Sequence, residues 1–322
     1  MTIPLRAVEP DSDVFLSAYL GIFAPWLERD DVTELLVNRP GEIWVEGASG
    51  MEVHALPALD ARLLRRLSEQ VARISHQGIN REQPLLAATL PDGARIQIVA
   101  PTATRGDWAM AIRRHRLLDV PLESYGRSLV RGQAPLEALP DGADPIDYLR
   151  EAVRQRRTIL ISGGTSTGKT TFLNALLREV GSQERIVLVE DTPEIRIPVA
   201  NGVGLVAVKG MLGEARITAD DLVQAALRLR PDRIVLGELR GAEVVSFLRA
   251  INTGHPGSLA TIHANSPRGA LEQLALMVMQ AGLGLGRADT LAYARTVIDI
   301  VVQLDRCEGR RGIAAVARTA DI

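Results

Sequence analysis

The sequence predicts an α/β protein in two parts: a smaller α+β domain over residues 1–120 and a larger domain with a mainly parallel sheet over 146–322. Three observations predict it. The second half alternates apolar runs with amphipathic stretches, as a parallel sheet covered on both faces requires. The first half carries strand–turn–strand units around one long amphipathic segment, the pattern of an antiparallel sheet with a helix. Between them, PLESYGRSLVRGQAPLEALPDGADP at 121–145 is rich in Pro, Gly and Asp and reads as a linker. A length of 322 residues suits about two domains, and 46% apolar residues can fill their cores.

The elements follow in order. Residues 14–27 have apolar positions at helical spacing and end near Trp26. VTELLVNRPGEIWVEG is strand, turn, strand, with Pro40 and Gly41 in the turn. In ALDARLLRRLSEQVARISHQG, Leu63, Leu64, Leu67, Val71 and Ile74 share one helical face, and Gly78 is a candidate C-cap. LLAATLPDGARIQIVAP turns at Asp92-Gly93, and WAMAIRRHR is a further strand.

In the second half, DYLREAVRQRR opens with a short helix. RTILISGG, ERIVLVED, VGLVAVK, DRIVLGE, SLATIHA and TVIDIVVQLDR read as strands. TTFLNALLREV, TADDLVQAALRLR, AEVVSFLRAINTG and GALEQLALMVMQAG read as helices, and Thr218 with Asp221 has the spacing of a capping box.

Composition excludes several classes. A net charge of −2 and 3% aromatic residues argue against bulk polyanion binding and against stacking platforms for single-stranded nucleic acid. The single cysteine excludes an internal disulfide framework. The first fifteen residues are acidic without a long apolar run, and no stretch of 18 apolar residues occurs. A cytoplasmic protein is expected. Of 37 basic residues only Lys169 and Lys209 are lysines, so a lysine marks a place where a compact point charge is needed.

Lys169 lies in GGTSTGKT, residues 163–170, which fits G-x-x-x-x-G-K-[ST]. An apolar strand leads in and an amphipathic helix leads out, as a phosphate loop requires. Glycines let successive N–H groups point at phosphate oxygens, and the helix adds its positive end. Lys169 can reach the β- and γ-phosphates of ATP, and Thr170 can hold Mg²⁺. The nucleotide-contacting residues are thus Gly163, Gly164, Thr165, Ser166, Thr167, Gly168, Lys169, Thr170 and Thr171.

Two apolar strands end in acids, RIVLVED and DRIVLGE, and ligands bind at strand carboxyl ends in such sheets. Glu190, Asp191 and Glu238 therefore project towards the loop. A nucleoside triphosphatase needs one carboxylate near Mg²⁺ and another for the attacking water. Glu194 is equally a solvated turn residue or a site residue. Asp220 and Asp221 are helix-cap charges. TGHPGSLATIHANS, residues 253–266, holds two of the five histidines. A metal pair there lacks further ligands. His263 follows its strand, where it can hydrogen-bond the γ-phosphate or its water; His255 fixes the TGHPG turn or a subunit contact.

GGTSTGKT, LVEDTPE, RLRPDRIVLGELRG and INTGHPGSLATIHANSP occur in this order at short separations. Together they closely resemble the Walker A, Asp box, Walker B and His box of the traffic ATPases of bacterial type IV secretion systems, the P-type DNA-transfer ATPases. Those are relatives of the type II secretion and pilus-retraction ATPases. The likeness is dense over about 146–306 and extends forward through VNRPGEIWVE, LPDGARIQIVAP and AIRR; ALMVMQAGLG favours the type IV branch. It implies a RecA-like P-loop fold for the C-terminal domain and ATP held between the two domains. It also implies a homo-hexameric ring, docked peripherally on the cytoplasmic face of inner-membrane secretion-channel components and working with coupling ATPases. By the same resemblance Glu190 is the general base, and Glu238 positions Mg²⁺ or the water. An N-terminal-domain arginine reaches the γ-phosphate: Arg113 of AIRR matches best and Arg114 next, and the chain departs from its relatives here, with RRHR where they continue as Arg-Lys-Pro, so the choice between the two stays open. Arg95 is a further candidate with a structural alternative. Arg240 braces the Walker B acid or a neighbouring subunit, and Arg240 and His255 join Arg114 among the nucleotide-binding candidates. Direct nucleic-acid binding stays open through RQRR at 154–157, as in a RecA-like helicase. A nucleotide switch or small-molecule kinase is a third reading.

Overall fold

Strand periodicity differs between the two halves, and burial follows it. The structure is a computed structural model describing residues 11–47, 49–75, 77–114, 120–125, 143–209, 216–307 and 310–322. Two compact units emerge: Met1–Arg116 with Gly210–Arg216, and Leu117–Lys209 with Ile217–Ile322.

The first unit begins with helices α1 (Asp11–Leu20) and α2 (Ala24–Leu27), joined by a 3₁₀ turn. Strands β1 (Glu34–Val37), β2 (Glu42–Gly47) and β3 (Gly50–Ala55) follow, then helix α3 (Ala61–Ile74) and strands β4 (Leu85–Thr89), β5 (Arg95–Val99) and β6 (Ala109–Arg113). All neighbours pair antiparallel in the order β3-β2-β1-β6-β5-β4. Period-two burial puts Leu35, Val45, Ile96, Ile98 and Ile112 on one face, against Leu64, Leu67 and Val71 of α3. Asp60 caps α3 by accepting from the Leu63 N–H at 2.7 Å. The helix closes at Ser75, whose hydroxyl bonds the Val71 carbonyl, rather than at Gly78. Strand β3 was not anticipated, because MEVHA alternates without a buried face.

The second unit is built from α4 (Pro145–Arg154), β7 (Ile159–Gly163), α5 (Lys169–Leu177), β8 (Ile186–Glu190) and β9 (Gly202–Val206). The short pair β10 (Val208–Lys209) and β11 (Arg216–Ile217) precedes α6 (Ala219–Ala226), β12 (Arg233–Leu239), α7 (Glu243–Asn252) and β13 (Leu259–Ile262). Then come α8 (Pro267–Gln280), α9 (Arg287–Val297), β14 (Ile300–Cys307) and β15 (Arg310–Arg318). The sheet order is β15-β14-β7-β13-β12-β8-β9, parallel except for β15. Every residue of β7, β8 and β13 is buried, since helices cover both faces. Ile234, Leu236 and Ile262 pack with α6, α7, α8 and α9 on one face; Ile161, Leu188 and Val235 pack with α4 and α5 on the other. The Thr218–Asp221 capping box forms. Helix α9 and the antiparallel β15 were not anticipated.

Residues 126–142 of the expected linker, like His115 and Arg116 of RRHR, lie outside the described residues. Leu122–Tyr125 form a 3₁₀ turn whose Leu122 and Tyr125 are buried with α4 and α5. Among the described residues no helix is long and apolar enough to cross a membrane.

Candidate active site

Parallel strands β7, β13, β12 and β8 lie side by side, so their carboxyl ends form one edge. The phosphate loop leaves β7, His263 follows β13, Glu238 lies near the end of β12, and Glu190 ends β8.

The loop's geometry follows from its sequence. Ser166 at φ +60° and Gly168 at φ +89° are left-handed, and such turns aim successive N–H groups inward. A non-glycine residue in that region costs about 1–3 kcal/mol and is typical of ligand-gripping segments. A Cβ on Gly163 would lie 2.4 Å from the Thr167 hydroxyl, which donates to the Gly164 carbonyl at 2.9 Å. A Cβ on Gly168 would meet Arg311 at 3.1 Å. Lys169 is 9% exposed, and its ammonium donates to the Gly163 and Gly164 carbonyls at 2.9 and 3.0 Å. The same ammonium lies 3.4 Å from both ring nitrogens of His263.

A charged cluster faces the loop. His263 Nε2 is 2.7 Å from Glu238 Oε1, but the two are not aligned as a hydrogen bond. Arg240 Nε donates to Glu238 Oε2 at 2.6 Å, Nη2 contacts the same oxygen, and Nη1 reaches Asp191 at 3.3 Å. A register shift between Leu236 and Leu239 re-aims Glu238, and the Gly237 carbonyl accepts from the Thr261 hydroxyl at 2.6 Å. Partial burial lowers the His263 pKa below its usual 6.5; Lys169 lowers it further, Glu238 opposes this, and Arg240 adds to the lowering. The imidazole is therefore neutral at pH 7, with one donor and one acceptor.

The two strand-end glutamates have different surroundings. Glu190 is 5% exposed, and its carboxylate accepts from the N–H groups of Glu194 at 2.5 Å and Ile195 at 3.2 Å. Thr170 donates not to Glu238 but to Glu194, at 3.3 Å.

Within the second unit, His255 is not brought to this edge. His255 precedes β13, at the opposite end of the strand from His263, so its placement among nucleotide contacts is corrected. There it lies 2.9 Å from the Pro231 carbonyl through Nδ1, and its own carbonyl accepts from Ser258. That arrangement braces the turn. Arg113, Arg114 and Arg95 belong to the first unit. Arg114 donates to the carbonyls of Arg29 and Val32, whereas Arg113 is half-exposed beside Glu34 at 3.5 Å. Arg95 and Glu34 flank Arg113 in the strand register. The arginines of RQRR are matched by acids: Arg154 with Glu179, Arg156 with Glu184 and Asp232, Arg157 with Asp299.

Sequence reasoning missed Tyr125, Arg311, Asn174 and Gln303. Tyr125 stacks edge-on against Phe172 of α5 at 4.9 Å, and burial pushes its hydroxyl pKa up to about 12. Gln303 and Ser162 both donate to the Ala264 carbonyl, which pins the segment after His263. None of these lies in a motif; only contact identifies them.

Among the described residues no group of three or more His, Cys, Asp or Glu could hold a metal ion. Mg²⁺ takes few protein ligands and completes its shell with phosphate and water. The left-handed Ser166 and Gly168 and the close-packed Gly163 give the loop the curl that fits a phosphate chain, with the Thr170 hydroxyl beside it as the residue that would hold Mg²⁺.

Residues 21–311 match the family described as Type II/IV secretion system protein. The chain is 39% identical to the type IV secretion system protein PtlH of Bordetella pertussis, over 97% of this chain and 96% of that protein. It is 39% identical to VirB11 of Brucella suis, over 87% of this chain and 82% of the relative. Among solved structures, the VirB11 ATPase of the Brucella suis type IV secretion system, crystallised with sulphate, is similar at a TM-score of 0.53 and 34% identity, covering 96% of each chain. The pilus retraction motor PilT with bound ADP shares the fold at a TM-score of 0.63 and 18% identity, covering 93% of this chain and 82% of the other. With its phosphate loop, acidic strand ends and His263 gathered on one sheet edge, the chain belongs to the type II/IV secretion system protein family.

Proposed function

We propose that this protein is an Mg²⁺-dependent ATPase that powers a type IV secretion machine. One observation carries the reading: Lys169, in a phosphate loop of the required geometry, lies beside His263 and the Glu238–Arg240 pair. A relative named as a type IV secretion ATPase and another named as a type IV secretion system protein support it.

Lys169 and the loop N–H groups bind the β- and γ-phosphates. Mg²⁺ supplies charge neutralisation at the phosphates when bound. Glu238 orients or deprotonates the attacking water, since among the described residues its buried Oε1 accepts no hydrogen bond. Glu190 fits the general-base role of the family resemblance if its loop moves, because both its oxygens are engaged by loop N–H groups. His263 reports the γ-phosphate through its single N–H, and Arg113, the less committed of the two arginines, reaches the γ-phosphate during turnover.

Lys169→Ala is expected to abolish ATP hydrolysis with the fold retained by circular dichroism; normal turnover would overturn the ATPase reading. In the same assay Arg113→Ala should slow hydrolysis by about 10³–10⁵, as loss of a charge-stabilising arginine does, with Arg114→Ala closer to wild type. The paired state of Arg154, Arg156 and Arg157 favours a protein motor over a DNA helicase. Salt-sensitive, ATPase-stimulating binding of single-stranded DNA would reverse that preference.

A further inference from the structure

A nucleotide lies along its phosphate loop, with the lysine on the β- and γ-phosphates and the α-phosphate next to the nucleoside. His263 and Glu238, after β13 and on β12, mark the γ-phosphate end. Both strands lie on one flank of β7, and the β14–β15 hairpin lies on the other. The α-phosphate and the nucleoside therefore fall on the hairpin flank. Strand β14 pairs with β7 as far as Leu304 beside Gly163, so Arg306 and Arg311, further along the hairpin, stand past the sheet edge at the loop.

Arg311 lies against the loop at its left-handed glycine. Its Cδ and Nε are 3.1 and 3.9 Å from where a Cβ on Gly168 would be. The Tyr125 hydroxyl is 3.9 Å from the same point and is hydrogen-bonded to Thr171. Arg311 also faces Arg306 directly across the hairpin, and both are exposed. Directly opposed residues share a face of the hairpin, and like charges there are destabilising. Among the described residues no carboxylate pairs with either guanidinium, whereas Arg157, Arg233 and Arg240 of the same unit each hold an acid. An anion beside Gly168 would offset the two like charges.

We propose that Arg311 is the α-phosphate anchor of this site: its guanidinium, exposed on β15 beside Gly168, donates to an α-phosphate oxygen of a bound nucleoside di- or triphosphate. The assignment rests on the nucleotide reading above. Arginine suits the place, since it stays charged and presents several donors to phosphate oxygens. The site then tells a nucleotide from a lone tetrahedral anion, because only the nucleotide spans from the loop to Arg311.

The test is ADP affinity of the full-length protein by isothermal titration calorimetry, beside the inhibition constant of sulfate against ADP. Arg311→Ala should weaken ADP binding about 10–100-fold, the range for losing a hydrogen bond to a charged group. Sulfate, a single anion that seats at the loop and the first turn of α5, should keep its inhibition constant within about twofold. Unchanged ADP affinity would overturn the proposal, and an equal loss for sulfate would make Arg311 a support of the loop and not a nucleotide contact. If Arg311→Ala does not fold, Arg311→Gln removes the charge and keeps much of the side chain; a comparable loss of ADP affinity supports the assignment and wild-type affinity refutes it. Failure of the wild type to bind ADP would take down the nucleotide reading itself, whereas normal ADP binding with insensitive variants would take down Arg311 alone.

Discussion

The surroundings of His263 favour its neutral form. Burial and the neighbouring Lys169 and Arg240 lower its pKa below 6.5 despite the adjacent Glu238. A histidine depressed in the folded state contributes fully above the unfolded value and loses stability as pH falls, because the unfolded chain takes up the proton first. Wild type should therefore lose more stability than His263→Gln between pH 7 and pH 5, measured by urea unfolding at each pH. Equal losses would remove His263 as the titrating group. Arg240 shows how little of a residue's chemistry its type reveals: GELRG announces an arginine near an acid, and the structure adds that it spans Glu238 and Asp191.

At the scale of elements, strand β12 is anchored at one end and tuned at the other. Arg233, fully buried at its start, donates to both Glu184 oxygens at 2.8 and 2.9 Å and to the carbonyls of Gly257 and Val153. It thereby ties α4, the turn before β8 and the turn before β13 to one strand. Burial alone would raise the Glu184 pKa; Arg233, aided by Arg156, brings it below the usual 4.5. That stabilisation is complete above pH 4.5 and is lost as pH falls through the lowered value. Arg233→Ala should cost about 3–5 kcal/mol in urea unfolding at pH 7, because it strands a largely buried carboxylate. A cost under about 1 kcal/mol would show that the pair is not desolvated as the structure indicates. Nothing in DRIVLGE sets this arginine apart from the chain's other arginines; only its burial does. Likewise β3 and β15 escaped sequence reasoning because they are defined by hairpin partners more than by periodicity.

For the whole molecule, the family resemblance implies a six-membered ring, and the proposed motor requires assembly responsive to nucleotide. Light scattering of the wild type with and without ATP should give a particle of about six chains in ATP, and Lys169→Ala should lose the response. A monomer in both conditions would remove the ring from the proposal. Local sequence was sufficient to determine the α/β character, the phosphate loop and the acids at strand ends, because apolar periodicity and motif spacing act within a few residues of one another. Strand order was not local. The chain runs β7, β8, β12, β13, but the sheet runs β7-β13-β12-β8, and that rearrangement brings His263 to Lys169 and leaves Glu190 two strands beyond His263. Which carboxylate meets Thr170, which histidine faces the loop and which arginine is buried all depend on contacts between segments distant in sequence. Those contacts are chosen by burying both faces of one sheet, a requirement that short segments of sequence do not express.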